Sequence, residues 1–154
     1  MKGLVVKLVE TVEERQAAFA IRMRVFVQEQ GVPVEEELDE HDATATHALA
    51  LLDGRPVGTG RVVCPGKPPD SYYAQSRNEA RIGRMAVEGD WRRRGIGSRI
   101  LKALEEAARQ QGMAEAVLHA QTYVKAFYAA HGYAEEGEVF LEVGIEHMQM
   151  RKRL

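Results

Sequence analysis

The sequence predicts an α/β chain built on a mixed β-sheet of six or seven strands flanked by helices. Short β-branched runs alternate with segments of helical periodicity, so strands and helices are interleaved. Hairpin signals interrupt that alternation, Asp53-Gly54 being the clearest, so the pairing cannot be wholly parallel. The length, 154 residues, suits one domain over 1–154, and no repeat, low-complexity tract or linker divides it.

Leu4–Val9 reads as a strand. Thr11 and Glu14 have the spacing of a capping box, and the helix they open carries Ala18, Ile21 and Val25 on one side, ending near Gln28–Gly31. Glu35–Asp42 holds six carboxylates in eight positions and reads as a solvated loop or short helix; the sharper alternative is a rim that attracts a cationic substrate. His47–Leu52 and Val57–Val63 read as strands, with Gly58 and Gly60 marking a bulge or a close approach. Cys64–Asn78, rich in Pro and Gly, reads as a long surface loop. Glu79–Val87 resumes as a strand, with Ile82, Arg84 and Ala86 on one face. A helix then runs from about Ser98 to Arg109, with Gly112 as its C′ residue. Ala116–Gln121 follows as a strand. Thr122 is placed to cap a short helix through Ala130 that Gly132 ends, and Tyr133–Phe140 and His147–Arg151 complete the strands.

Composition narrows the function. Apolar residues make up 45% and charged residues 29%, as in soluble globular proteins. No apolar run approaches the roughly 18 residues of a membrane span. The start, MKGLVVKLVE, does not have the pattern of a secretory signal. The lone Cys64 excludes an internal disulfide and suits a reducing cytoplasm. A net charge of −2 does not indicate nucleic-acid binding. His41 and His47 near Asp42 mimic a metal pair, but no second cluster supports one, so no metal is expected.

The most informative stretch is Met85–Ser98. A strand leads into Trp91-Arg92-Arg93-Arg94-Gly95-Ile96-Gly97 and a helix leaves it. A helix N-terminus presents N–H groups without intrahelical partners and a partial positive charge, so an anion is favoured there. Gly95 and Gly97 let an anion approach the main chain, and the arginines add donors suited to phosphate. The pattern suits a diphosphate. It lacks the Gly-Lys-Ser/Thr of a nucleoside-triphosphatase loop and the three-glycine dinucleotide fingerprint. Read from residues alone, a solvated arginine-rich helix start and a basic RNA patch remain open.

Arg92-x-x-Gly95-x-Gly97 resembles the diphosphate motif of the GNAT superfamily of N-acetyltransferases. Ala126-Phe127-Tyr128-Ala129-Ala130-His131-Gly132-Tyr133 is similar to the superfamily's aromatic-Tyr-x-x-x-Gly-aromatic signature. Arg24–Gln30 with Pro33, Ile82-Gly83-Arg84 and Gly144-Ile145-x-His147 resemble the small ElaA-like branch, and the histidine pattern also resembles glyphosate N-acetyltransferases. The resemblance implies the GNAT acyl-CoA N-acyltransferase fold, with acetyl-CoA as co-substrate. Arg92, Arg93, Arg94, Gly95, Ile96, Gly97 and Ser98 would wrap the diphosphate. Met85, Ala86 and Val87 would pair with the pantetheine arm, one of their N–H groups polarising the thioester carbonyl. Tyr128 would protonate the departing thiolate.

Other roles stay open on residues alone. Read from residues alone, Tyr128 is a core tyrosine packed with Phe127; the resemblance is what makes it the acid. Relatives often place a carboxylate base on the strand before the turn, where this chain has only Glu79, at the strand's start. His147 is the alternative base, facing opposite to Met148 and Met150, although Glu146 stands where relatives often have proline. His119 and Gln121 share a face and either line the cleft or hydrogen-bond within it. Arg22, Arg24 and Arg84 either bind an acidic group of the acceptor or pair with the Glu35–Asp42 run; one arrangement holds Arg24 by those acids and turns Arg84 to substrate. Cys64 has no neighbouring base, which points to direct transfer to a small amine or amino-acid-like acceptor in a ternary complex. A non-catalytic acyl-CoA-sensing module is the second reading. A homodimer is a reasonable prior for such a chain.

Overall fold

The computed structural model describes residues 2–65 and 78–154, so most of the predicted Cys64–Asn78 loop lies outside the described residues. Seven strands form one sheet in the order β1-β2-β3-β4-β5-β7-β6. They are β1 (Leu4–Leu8), β2 (Thr46–Leu52), β3 (Arg55–Val63), β4 (Glu79–Val87), β5 (Glu115–Gln121), β6 (Ala134–Glu142) and β7 (Ile145–Arg153). The helices are α1 (Val12–Arg22), α2 (Val34–Glu37), α3 (Ile96–Gln110) and α4 (Lys125–Ala130). Only β4 and β5 pair in parallel; every other pair is antiparallel. No helix among the described residues is long and apolar enough to cross a membrane.

Local chemistry explains the element ends. The capping box at α1 is present, the Thr11 side chain accepting from the Glu14 N–H. Asp53 and Gly54 take φ of 50° and 82°, as a tight hairpin turn requires. α3 and α4 both end in the same motif. Met113 N–H reaches Ala108 O and Gly112 N–H reaches Arg109 O; Tyr133 N–H reaches Tyr128 O and Gly132 N–H reaches Ala129 O. Thr122 does not cap α4: the chain enters it through a 3₁₀ turn, Thr122–Val124, with no side-chain cap.

One half of the core lies between α3, α4 and the sheet. There Ile96, Ile100, Leu101 and Leu104 pack on Val57, Ile82, Leu118, Met148 and Met150. On the opposite face Ala18, Ile21 and Val25 pack on Leu49 and Ala86. The predicted single α-helix ends differently: Met23–Glu29 is π-helical, with the Gln30 N–H reaching back to Val25 O. The wider turn keeps Val25 in the core while Phe26 and Gln30 line the cleft described below.

Two departures from ideal strands shape the molecule. Between Gly83 and Ala86, Arg84 and Met85 face the single residue Gly60 of β3, and Arg84 takes φ 53°. This bulge inverts the alternation. Ala80 and Ile82 face the α3 side before it; Met85 and Val87 do so after it, and Ala86 faces α1. The expectation that Ile82, Arg84 and Ala86 share a face is therefore corrected. The parallel ladder between β4 and β5 ends at Ile82 and Leu118, while the strands run on to Val87 and Gln121, opening a wedge in the sheet.

Gly58 and Gly60 admit α3 closely. A Cβ at Gly58 would lie 2.8 Å from Ile100 Cδ1 and 3.3 Å from the Ala86 carbonyl oxygen. Gly58→Val should destabilise the fold by about 1–3 kcal/mol through overpacking. A lowered midpoint in urea at unchanged slope is expected; an unchanged midpoint would show that α3 does not press on β3.

Candidate active-site cleft

A cleft of about 1190 Å³ passes through the wedge and reaches both faces of the sheet. On the α3 side it is lined by Trp91, Arg92, Arg93, Gly95–Ser98, Phe127 and Tyr128. Met85, Ala86 and Val87 form its wall along β4. On the α1 side it meets Phe26, Gln30, Arg84, His119, Gln121, Glu142 and His147.

The turn has the expected anion geometry. Gly95 takes φ 81° as the N-cap of α3, no side chain caps that end, and nothing lies within 4 Å of the place where a Gly95 Cβ would project. The open N–H groups of the first turn therefore face space. The arginines are less mobile than their spacing suggests. Arg92 donates to Val87 O (2.8 Å) and pairs with Glu29 (2.7 Å), while Arg94 stacks on Trp91 and is outside the cleft lining. Gly97 lets the Phe127 ring approach α3, where a Cβ would sit 3.4 Å from Cζ, and Ser98 Oγ lies 2.9 Å from His131 Nε2. These contacts fix α4, and with it Tyr128, against the turn.

Tyr128 is 8% exposed, its ring packed against Phe127 and Tyr133. Tyr133 is anchored in turn by donating to buried Glu105, which also pairs with Lys152. Burial pushes the pKa of the Tyr128 hydroxyl up to about 12. Tyr128 is therefore both part of the core and part of the cleft wall.

His147 is 6% exposed and opposes Gln121 across the β5–β7 ladder. Its Nδ1 lies 2.7 Å from the Ile145 carbonyl, which only accepts, so Nδ1 donates there and Nε2 is the nitrogen left to exchange a proton with a ligand. His147 Nε2 is 3.6 Å from Glu142 Oε2. Met148 and Met150 pack in the opposite layer, as the alternation predicts. Glu79, the only acid offered by β4, pairs with Arg151 at the far end of the strand, outside the cleft.

Arg24 is corrected in its partner: it pairs with Glu88 at 2.6 Å, not with the acidic run, and lines a separate hollow beside Arg55 and Trp91. Gln121 donates to Gln30, which donates to Tyr123, bridging the cleft mouth. Cys64 is outside the cleft lining, and burial pushes its thiol up.

The acidic run is not a solvated loop throughout. Glu37 and Asp42 are buried, and they enter a closed ring of alternating charge: Arg22, Glu37, Arg84, Asp39, Arg61, Asp42 and back to Arg22, each neighbouring pair 2.7–3.4 Å apart. Arg84 thus pairs with Glu37 and Asp39 in the ring while it lines the cleft. Burial works to raise the Asp42 carboxyl, but hydrogen bonds from Arg22, the Asp39 N–H and Arg61 hold it well below the usual carboxylate range. The Arg61 hydrogen bond lowers Asp39, whereas burial pushes Glu37 up. The pairing was not visible in local sequence, because it depends on contacts between segments far apart.

Comparison with known proteins now decides the family. A profile of the acetyltransferase (GNAT) domain matches residues 8–154. The chain belongs to the GNAT acetyltransferase family. It is 38% identical to the uncharacterised N-acetyltransferase YjcF of Bacillus subtilis over 99% of each chain. An acyl-CoA N-acyltransferase from Pseudomonas aeruginosa superposes with TM-score 0.81 at 27% identity, covering 97% of this chain and 99% of that one. Escherichia coli ElaA superposes with TM-score 0.80 at 22% identity over 97% and 99%. The seven-stranded mixed sheet is thus the GNAT fold, and the ElaA-like resemblance holds at the level of structure.

Removing Arg22 takes one of two arginine partners from each of the buried carboxylates Glu37 and Asp42, so Arg22→Ala should cost about 3 kcal/mol, the low end for breaking a buried ion pair. Asp39 and Asp42 sit below their unfolded values, so their share of stability is full above that unfolded range and is lost as pH falls through the folded values. Urea titrations of both proteins at neutral and acid pH should show the gap narrowing in acid. A gap that is constant with pH would remove the ring's electrostatic role.

Proposed function

We propose that the chain transfers the acetyl group of acetyl-CoA directly to the nitrogen of a small amine or amino-acid-like acceptor. What carries this reading is that one cleft joins an uncapped helix N-terminus and Tyr128 on one face of the sheet to His147 on the other. The residues present fit the co-substrate: an open anion cradle at Gly95–Ser98 and a strand edge released beyond Ile82. The lone thiol and the charge balance agree with a cytoplasmic enzyme that does not act on nucleic acid.

Acetyl-CoA supplies an activated thioester carbonyl. The N–H groups of Ile96, Gly97 and Ser98, with Arg92 and Arg93 beside them, hold the diphosphate. The released edge at Met85–Val87 aligns the pantetheine arm as an added strand, and an N–H there polarises the carbonyl. His147 takes the ammonium proton at Nε2 while its Nδ1–H stays on the Ile145 carbonyl. Tyr128, held protonated by burial, donates to the departing sulfur. A thiol of ordinary pKa near 8.5 is a poor match for that phenol, but the same burial raises a thiolate's proton affinity and narrows the gap. The Arg84 ring closes the acceptor side and leaves His119, Gln121, Phe26 and Gln30 to meet the acceptor.

Incubation with acetyl-CoA and a panel of amines and amino acids should release thiol only when an acceptor is present. Coenzyme A binding with no release from any acceptor would favour the sensing module. Tyr128→Phe should lower kcat by ~10²-fold with little change in coenzyme A affinity; wild-type turnover would remove the acid role. His147→Ala should abolish the acidic limb of the pH–rate profile, and an unchanged limb would refute the base.

A further inference from the structure

Two histidines flank one carboxylate on the acceptor side, and their hydrogen bonds give them different parts. Gln149 donates its amide N–H to Glu136 Oε1 at 3.1 Å, which turns its carbonyl oxygen towards His119 Nε2, also at 3.1 Å. His119 Nδ1 lies 3.3 Å from Glu142 Oε1. Both His119 nitrogens therefore face acceptors, which only an imidazolium satisfies. The hydrogen bond to Glu142 accordingly raises the His119 pKa against its partial burial. His147, by contrast, donates from Nδ1 to the Ile145 carbonyl, and its Nε2 faces Glu142 Oε2 from beyond hydrogen-bond distance.

Glu142 lies between them. Its Oε1 is taken by His119; its Oε2 faces the cleft 3.6 Å from His147 Nε2. That separation is too long for a hydrogen bond and short enough for one ammonium nitrogen to touch both atoms. Of the other carboxylates that line the cleft, Glu37 and Asp39 are consumed by the arginine ring, and Glu35 and Glu36 are exposed on the acidic run. We propose that Glu142 Oε2 and His147 Nε2 form the docking site for the acceptor's ammonium group, with His119 as the charged latch that orients Glu142. The proposal rests on the acyl-transfer reading and adds to it a binding group and a positioning residue.

The chemistry balances. The ammonium nitrogen gives one proton to His147 Nε2, keeps its electron pair for attack, and leaves an imidazolium beside the Glu142 carboxylate. The groups facing Glu142 are His119, His147 and Arg84; Arg81 faces His119, whose ring meets the edge of Phe140. The His119 imidazolium and Arg84 oppose the ammonium form, which lowers the acceptor's proton affinity. The latch is present below the raised His119 titration point and is released as pH rises through it.

The test uses ethylammonium chloride on the whole chain, read from the imidazole nitrogens of His119 and His147 by NMR. Saturable shifts are expected in the wild type and not with equimolar sodium chloride. Glu142→Gln should weaken ethylammonium at least tenfold, Glu142→Asp should restore part of it, and His119→Gln should remove the pH dependence of the affinity. The absence of saturable shifts, or the same curve for Glu142→Gln, overturns the proposal. Calorimetry with acetyl-CoA separates the two readings. Glu142→Gln should bind it as the wild type does, whereas failure of the wild type to bind it would sink the acyl-transfer reading and leave the ammonium titration to stand or fall alone.

Discussion

The closed ring of Arg22, Glu37, Arg84, Asp39, Arg61 and Asp42 is the interaction on which the cleft depends. Its members come from α1, the acidic run, β3 and β4. Arg84 is the bulged residue that inverts β4, and its side chain is held by Glu37 and Asp39. The ring thus fixes the bulge from outside the sheet. Buried ion pairs contribute little net stability compared with apolar packing, but they tolerate few alternative arrangements. Here that specificity acts at the point where β4 leaves β5.

The bulge has two consequences for chemistry. It releases the β4 edge over Met85–Val87, and it turns Ala86 towards α1 while Met85 and Val87 join the α3 core. The wedge it borders connects two differently furnished faces. Helix termini and a buried phenol lie on one side; imidazoles and a shared carboxylate lie on the other. A sheet paired along its full length would keep these groups apart.

Much of this was legible in the residues because it depends on neighbours in sequence. Thr11 and Glu14, Asp53-Gly54, Gly112 and Gly132 act within a few positions, and the glycine turn before α3 carries its function in its own backbone. The methionine layer of β7 follows from simple alternation. The ring was not legible, because Arg22, Arg61 and Arg84 meet the acidic run only after the sheet forms; sequence offered Arg24 an equal claim, yet the helix carries it to Glu88. Alternation also fails across a bulge, which is why Ile82 was assigned to the face of Arg84 and Ala86. Glu142 did leave a signal. Val143-Gly144 is a two-residue hairpin turn with φ of 48° and 76°, and it pairs Glu142 with Ile145, on the same face as His147. A reading of that turn places the carboxylate beside the histidine.

The most direct measurement of the whole arrangement is a crystal structure of the chain with coenzyme A. The diphosphate should lie on the N–H groups of Ile96, Gly97 and Ser98, and the thiol should lie within the wedge, near the Tyr128 hydroxyl and on the path to His147. A diphosphate seated elsewhere, or a thiol directed away from the wedge, would contradict the site.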